Sequence, residues 1–283
     1  MTIAHRAAGP LTVAMAEQRY PEIFAFNARR GIGLALAWGI PFAVLLYGLV
    51  VFDFSPVRLW NGLGQLGMLI RFMFPPSIDG VMWEFMKAIF ETLAMAFIGT
   101  LFAALIAVPF AFLSARNVLR FSPGRFFVRR GMDFLRGVDQ LVWALVFVRA
   151  VGLGPLAGVM AIIISDIGTL AKLFSEAVEG ADRKPGEGVA ANGGNTLQCA
   201  RFGILPQVLP MFISSTLYIF ESNIRSATIL GIVGAGGIGY QLSERIRGHH
   251  WEEVATILLM ILFTVYLIDW VSGKIRSRLI EGA

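Results

Sequence analysis

Charge is scarce in this chain, and so are the residues that do chemistry. Asp, Glu, Lys and Arg make up 15% of its 283 residues, against roughly 25% in an ordinary soluble domain. There are three histidines and one cysteine, Cys199. A single cysteine excludes a disulfide within the chain, and Cys199 reads as a small, reduced packing residue. His249-His250 beside Glu252-Glu253 is the nearest approach to a metal cluster, but four polar loop residues need no ligand. None of the lysines, Lys87, Lys172, Lys184 and Lys274, follows a Gly-rich turn and precedes Ser or Thr. The chain therefore lacks a Walker-type phosphate loop. No nucleophile–base pair stands out, so a membrane-embedded enzyme has nothing to rest on. The first thirty residues contain Pro10, Glu17 and Pro21 and no short apolar core before a cleavage site. The first apolar run follows Arg29-Arg30 and reads as a retained anchor.

What the chain does have is apolar length. It is 56% hydrophobic with mean hydropathy +0.69, and several runs approach the roughly 20 residues that cross a bilayer core. The expected fold class is all-α and polytopic, with about six transmembrane helices. The spans fall near 33–52, 88–113, 138–153, 155–175, 207–232 and 254–272. Gly152, Gly154 and Pro155 mark a tight turn between the third and fourth. The stretch 59–74 holds Asn61, Gln65 and Arg71 and reads as a helix lying at the membrane surface. Residues 1–32 form an N-terminal arm and 33–283 the transmembrane domain.

The basic residues give the orientation. The arm carries Arg6, Arg19, Arg29 and Arg30. The loop after span two carries Arg116, Arg120, Arg125, Arg129, Arg130 and Arg136. The loop near 180–206 adds Arg183, Lys184 and Arg201, and the tail adds Lys274, Arg276 and Arg278. These sixteen of the 24 basic residues share one side of a six-span chain. Positive-inside bias places that side, with both termini, in the cytoplasm. This distribution accounts for the net charge of +5 without nucleic acid as a partner.

The loop 180–206 is polar and glycine-rich, "GEGVAANGGNTLQCARFGILPQVLP" over 186–210. Pro185-Gly186 can stop the preceding helix. "EGVAANGG" can form a short helix with small residues on one face and a glycine end. Leu205-Pro206 then pack and redirect the chain into span five. Residues 234–239, "GAGGIG", match a dinucleotide-loop pattern but follow a membrane span rather than a β-strand. Glycines there fit a sharp re-entrant bend, which membranes tolerate where it faces protein or water.

Ionisable residues at membrane depth are Glu91, Asp166, Glu221, Arg225 and Asp269. Such groups face a bundle interior or water. Glu221 and Arg225, four apart, share a helix face in the outer half of span five. Ser214, Ser215, Tyr218, Ser222 and Thr228 extend it. The face is either a buried ion pair that fixes packing or the lining of a conduit for an anion. Asp166 could hydrogen-bond across a dimer.

The 186–206 loop resembles the EAA loop of ABC importer permeases. Glu187, Gly188 and Val189 occupy the opening triplet, Gly193 the glycine position and Leu205-Pro206 the closing pair. Gly188 and Val189 replace two alanines, and Gly203 stands where that family has Ile. Together with "LVWALVFVRAVGLGPLAGVM" (141–160) and "RSATILGIVGAGGIG" (225–239), it resembles the phosphonate-import branch of these permeases over roughly 85–275. The resemblance implies a type I importer (MetI-like) architecture in a bacterial plasma (inner) membrane. It implies coupling to the ATPase through Glu187, Gly188, Val189, Gly193, Leu205 and Pro206. It implies a translocation path along Ser214, Ser215, Tyr218, Glu221, Ser222, Arg225 and Thr228, and a gate at Gly234, Gly236, Gly237 and Gly239. Its implied partners are two ATPase subunits that bind ATP and Mg, a second permease copy, an extracytoplasmic phosphonate-binding protein and the lipid membrane. The chain itself would carry no cofactor. The rivals are a permease of the same architecture for another solute such as methionine, and an uncoupled channel or scaffold.

Overall fold

The computed structural model describes residues 28–78, 80–118 and 122–281. Arg6, Arg19, Arg120 and most of the N-terminal arm lie outside the described residues. Residues 28–32, assigned to that arm, already belong to a helix. The chain divides into two compact units, Met1–Gly67 and Met68–Ala283, and no strand occurs among the described residues.

The first unit holds α1 (Ala28–Val51) and most of α2 (Pro56–Phe72). The two helices meet at a bend of 59°. Asp53 adopts φ 51 in the break, and its carboxylate meets Arg58 at 2.7 Å. Trp38, Phe42 and Val50 on α1 and Trp60 and Leu63 on α2 are exposed.

The second unit is built on α3 (Met82–Ser114), which carries small residues on one stripe: Ala96, Gly99, Ala103, Ala107 and Ala111, all buried. Small side chains let helix backbones approach where no water drives association. α6 (Pro155–Gly180) lies along that stripe. At Gly99 an added Cβ would stand 2.5 Å from Ile162 Cγ2. Leu170, Phe174 and Val178 of α6 fill the space beside Ala107 and Ala111, and Phe174 stacks on Phe212 of α8 (Leu205–Leu230) with ring centres 4.1 Å apart.

The third apolar run differs from its expected form. Its helix, α5, covers Gln140–Val151, twelve residues or about 18 Å at 1.5 Å per residue, short of a roughly 30 Å core. It is preceded by α4 (Ser122–Gly137). The two run end to end along α6, antiparallel to it. Arg129 pairs with Glu179, and Gly168 packs on the Met132 carbonyl and the Arg136 amide. Ala144 packs with Ala161 and Ile162. Asp139 sits in the break and accepts from the Leu141 amide at 2.8 Å, capping α5. Arg129, Arg130, Asp133 and Arg136 therefore lie beside the second half of α6, where the sequence suggested a plain loop.

After α6 come α7 (Lys184–Ala191) and a helical run of forty residues, Thr196–Ala235, that contains α8. Near the start of that run, Cys199–Ile204 is a π-helix. α9 (Gly237–Arg247) and α10 (Trp251–Glu281) close the unit. By length and composition, four helices among the described residues are able to cross a membrane, with α1–α2 as a bent fifth.

The break between α8 and α9 is set by glycine. Gly234, Gly236 and Gly237 have φ of +101°, +81° and +69°, values that side chains resist. The chain steps sideways and continues along α3 rather than folding back: Ile238 meets Thr92, and Arg245, further along α9, meets Glu84. Gly239 passes so close to α8 that an added Cβ would overlap the Thr228 carbonyl oxygen. Gly239→Ala is expected to lower the stability of the detergent-solubilised chain by about 3 kcal/mol, the upper range for overpacking. An unchanged melting temperature would contradict this crossing.

Candidate functional site

Three features remain once packing is accounted for. The first is a platform at the end of the unit where α3 and α6 terminate. α6 ends at Gly180, before Pro185. Pro185 does not stop that helix. It lies in the first turn of α7, where a missing N–H costs nothing. α7 ends at Ala191, and Gly193 follows with φ +83. Glu187, Gly188, Ala190 and Ala191 are exposed, whereas Val189 is half-buried under Gly194. Asn195 and Gln198 form a reciprocal cap for the helical run that follows. Leu205-Pro206 do not redirect the chain, because the helix is already under way at Thr196.

Two residues outside the expected coupling set hold this platform. Gly203 is buried, and a Cβ there would come within 2.6 Å of Gly186 Cα. The glycine pair is thus a close contact between α7 and the run leading into α8. Gln207 brackets the backbone of Asp182: its Oε1 accepts from the Asp182 amide and its NH2 donates to the Asp182 carbonyl, both at 3.1 Å. The two ends of the loop are tied through this pair. Cys199 is free and half-buried.

The second feature is the polar face of α8. Ser214, Ser215, Ser222 and Thr228 are partly exposed, and Tyr218 and Arg225 more so, at about half. Glu221 is nearly covered. Arg276 of α10 meets it at 2.7 Å, and Arg225 reaches it at 3.7 Å and Asp269 at 3.4 Å. The sequence placed Glu221 and Arg225 in the outer half of span five. The structure sets them against the C-terminal half of α10, nearer the side of the basic tail. Asp166 finds its partner within the chain. The Asn223 NH2 donates to it and to Thr100 Oγ1, while Gln140 donates to Asn223 Oδ1. Asn223 is 3% exposed and Asp166 7%, so this network joins α3, α5, α6 and α8 in the interior.

The third feature is the glycine break itself. Gly154 of the α5–α6 turn donates to the Gly234 carbonyl at 2.9 Å. Glu91 accepts from the Gly237 amide at 3.2 Å and Thr92 from Ile238 at 2.8 Å. A carboxylate at a helix N-terminus meets unpaired N–H groups, which gives Glu91 a structural task. Glu253, in the His249–Glu253 stretch, is paired with Arg245 at 2.6 Å. No group of three metal-ligating side chains occurs among the described residues.

The described residues thus form an all-helical unit of membrane-crossing helices, with a tied platform at one end and a polar helix face leading from it. The family model described as "binding-protein-dependent transport system inner membrane component" matches residues 107–280, and the chain belongs to that family. Within it, the chain is 36% identical over 256 residues to the phosphite transport system permease protein PtxC of Stutzerimonas stutzeri, covering 88% of this chain and 92% of that one. It is 47% identical over 121 residues to PhnE2 of Escherichia coli K12, named for a cryptic phosphonate transport system, covering 43% of this chain and 99% of the relative. Among solved structures, the inward-facing MetNI methionine ABC transporter matches with a TM-score of 0.62 at 22% identity, over 72% of this chain and 99% of that one. The last likeness is one of fold.

Proposed function

We propose that this chain forms the conduit of an ATP-driven importer for a small tetrahedral phosphorus oxyanion, a phosphonate or its phosphite and phosphate relatives. The observation that carries the reading is the half-exposed polar face of α8 with Arg225 on it. It stands in a chain whose relatives are named for phosphite and phosphonate transport. A guanidinium at this depth faces water or protein rather than lipid, and its planar N–H groups suit oxyanions.

In this reading the basic end of the chain lies in the cytoplasm, with both termini, and the membrane is a bacterial plasma (inner) membrane. The platform of Glu187, Gly188, Val189 and Gly193, braced by Leu205 and Pro206, docks on an ATPase that binds ATP and Mg. Two ATPase copies serve two permease copies, the second being this chain or a close paralogue. An extracytoplasmic binding protein delivers the anion at the far end. There the break at Gly234, Gly236, Gly237 and Gly239 acts as a gate. Ser214, Ser215, Tyr218, Glu221, Ser222 and Thr228 line the path with Arg225.

Reconstitution with the ATPase and binding protein is the test. Wild-type complex is expected to accumulate phosphite or methylphosphonate only when ATP is supplied. Arg225→Ala is expected to cut that rate at least tenfold while the ATPase still co-purifies. Loss of the complex in that variant would assign Arg225 to packing instead.

A further inference from the structure

Glu221, Arg225, Asp269 and Arg276 form a four-charge cluster between α8 and α10, and its two pairs are unequal. Arg276 Nη2 lies 2.7 Å from Glu221 Oε2, and its guanidinium stacks over the Tyr218 ring at 5.9 Å. The Glu221 and Arg276 side chains are 13% and 26% exposed. Arg225 is divided between two acceptors. Its Nη1 is 3.4 Å from each oxygen of Asp269, and its Nη2 is 3.7 Å from Glu221 Oε1. A charge-assisted N–H···O bond is about 2.7–2.9 Å, and a fork sets two nitrogens against two oxygens of one acceptor. Arg225 has neither. The Arg225 and Asp269 side chains are 48% and 40% exposed.

We propose that Arg225 is a transient receiving site for a tetrahedral phosphorus oxyanion and that Asp269 is its displaceable counter-ion. The inference rests on the importer reading above. Two oxygens of such an anion match the Nη1 and Nη2 edge that no single carboxylate fills. Glu221 does not repel the incoming charge, because Arg276 neutralises it and holds it in place. Asp269 is the group that must yield, and its long contacts mark it as the loosely held partner. Its return to Arg225 expels the anion. A conduit needs binding strong enough to admit a solute and weak enough to release it, and Asp269 supplies the weakness. Asp269 is thus a positioning residue, acting on the anion through Arg225.

The expected signature separates affinity from turnover. Binding of radiolabelled methylphosphonate to the purified permease–ATPase complex is measured without the binding protein, and ATP-driven uptake is measured in proteoliposomes with it. Asp269→Asn is expected to tighten binding at least fivefold and to slow uptake at least fivefold. Asp269→Glu is expected to restore both. A residue needed only for packing would not tighten binding on removal. Wild-type uptake with unchanged binding and rate in Asp269→Asn would overturn this inference and leave the importer reading standing. Loss of the complex in Asp269→Asn alongside an intact Asp269→Glu would make Asp269 a packing residue and overturn it as well. Failure of wild-type complex to take up methylphosphonate or phosphite would remove the importer reading, and this inference with it.

Discussion

Isoleucine at position 203 is expected to reduce ATP-driven uptake below a tenth of wild type while the chain still folds into the membrane. That outcome runs against the EAA-loop pattern, which places Ile at this position. Here the residue is Gly203, buried against Gly186 with room for no Cβ. The flanking contacts explain how a glycine came to suffice. Asn195 and Gln198 cap the run, and Gln207 holds Asp182, so the loop ends stay tied without a large side chain. An isoleucine would push α7 off its base. Overpacking of this kind costs about 1–3 kcal/mol, enough to unseat an eight-residue helix and too little to unfold α3, α6 and α8. ATP hydrolysis should persist at its basal rate and lose its response to the loaded binding protein. Retained stimulation in Gly203→Ile would mean that α7 does not transmit motion through this contact.

Much of this arrangement was legible from local pattern. Apolar runs give the long helices, because a chain in lipid must satisfy its backbone within helices. A break after α8 was legible from Gly234, Gly236 and Gly237, where only glycine adopts the conformation freely, but its form was not: a re-entrant bend was expected, and the chain steps sideways along α3. What escaped was set by contacts distant in sequence. α4 carries Arg129, Arg130, Asp133 and Arg136, and charge alone reads as loop. Only Gly168, thirty-odd residues on, shows that a helix must lie against α6. Asp166 was visible as a costly residue, but its partner Asn223 was one polar residue among many on α8. The same holds for Arg276. As part of a basic tail it counted toward orientation, whereas the fold makes it the partner of Glu221. Periodicity gives the face of a helix and not the element that covers it.

The strongest consequence of those unseen contacts concerns Asn223. Asn223→Leu is expected to reduce folded chain in the membrane at least tenfold, more than any single change on the exposed α8 face. The side chain has donors for Asp166 and Thr100 and an acceptor for Gln140. Leucine leaves Asp166, 7% exposed, without that donor. Leaving a buried acceptor without its donor costs about 1–3 kcal/mol, and more when the acceptor is charged. Removing both has a different result. A leucine pair of similar shape leaves no uncompensated carboxylate, Thr100 still donates to the Ala96 carbonyl and Gln140 is only half-buried, so Asn223→Leu with Asp166→Leu is expected to recover most of the folded chain. Uptake separates the two roles left to the network. If the double variant folds and transports, the network only matches polar groups to one another. If it folds and does not transport, the hydrogen bonds that fasten α8 to α3, α5 and α6 are what allow a push at Gly203 to move the whole helix. The second result is expected, since α8 is braced at its base by Gln207 and, among the polar contacts described, at mid-length by Asn223. Fluorescence size-exclusion yield and ATP-driven uptake on the two single variants and the double variant would decide it. A single Asn223→Leu variant with wild-type yield would contradict the buried network outright.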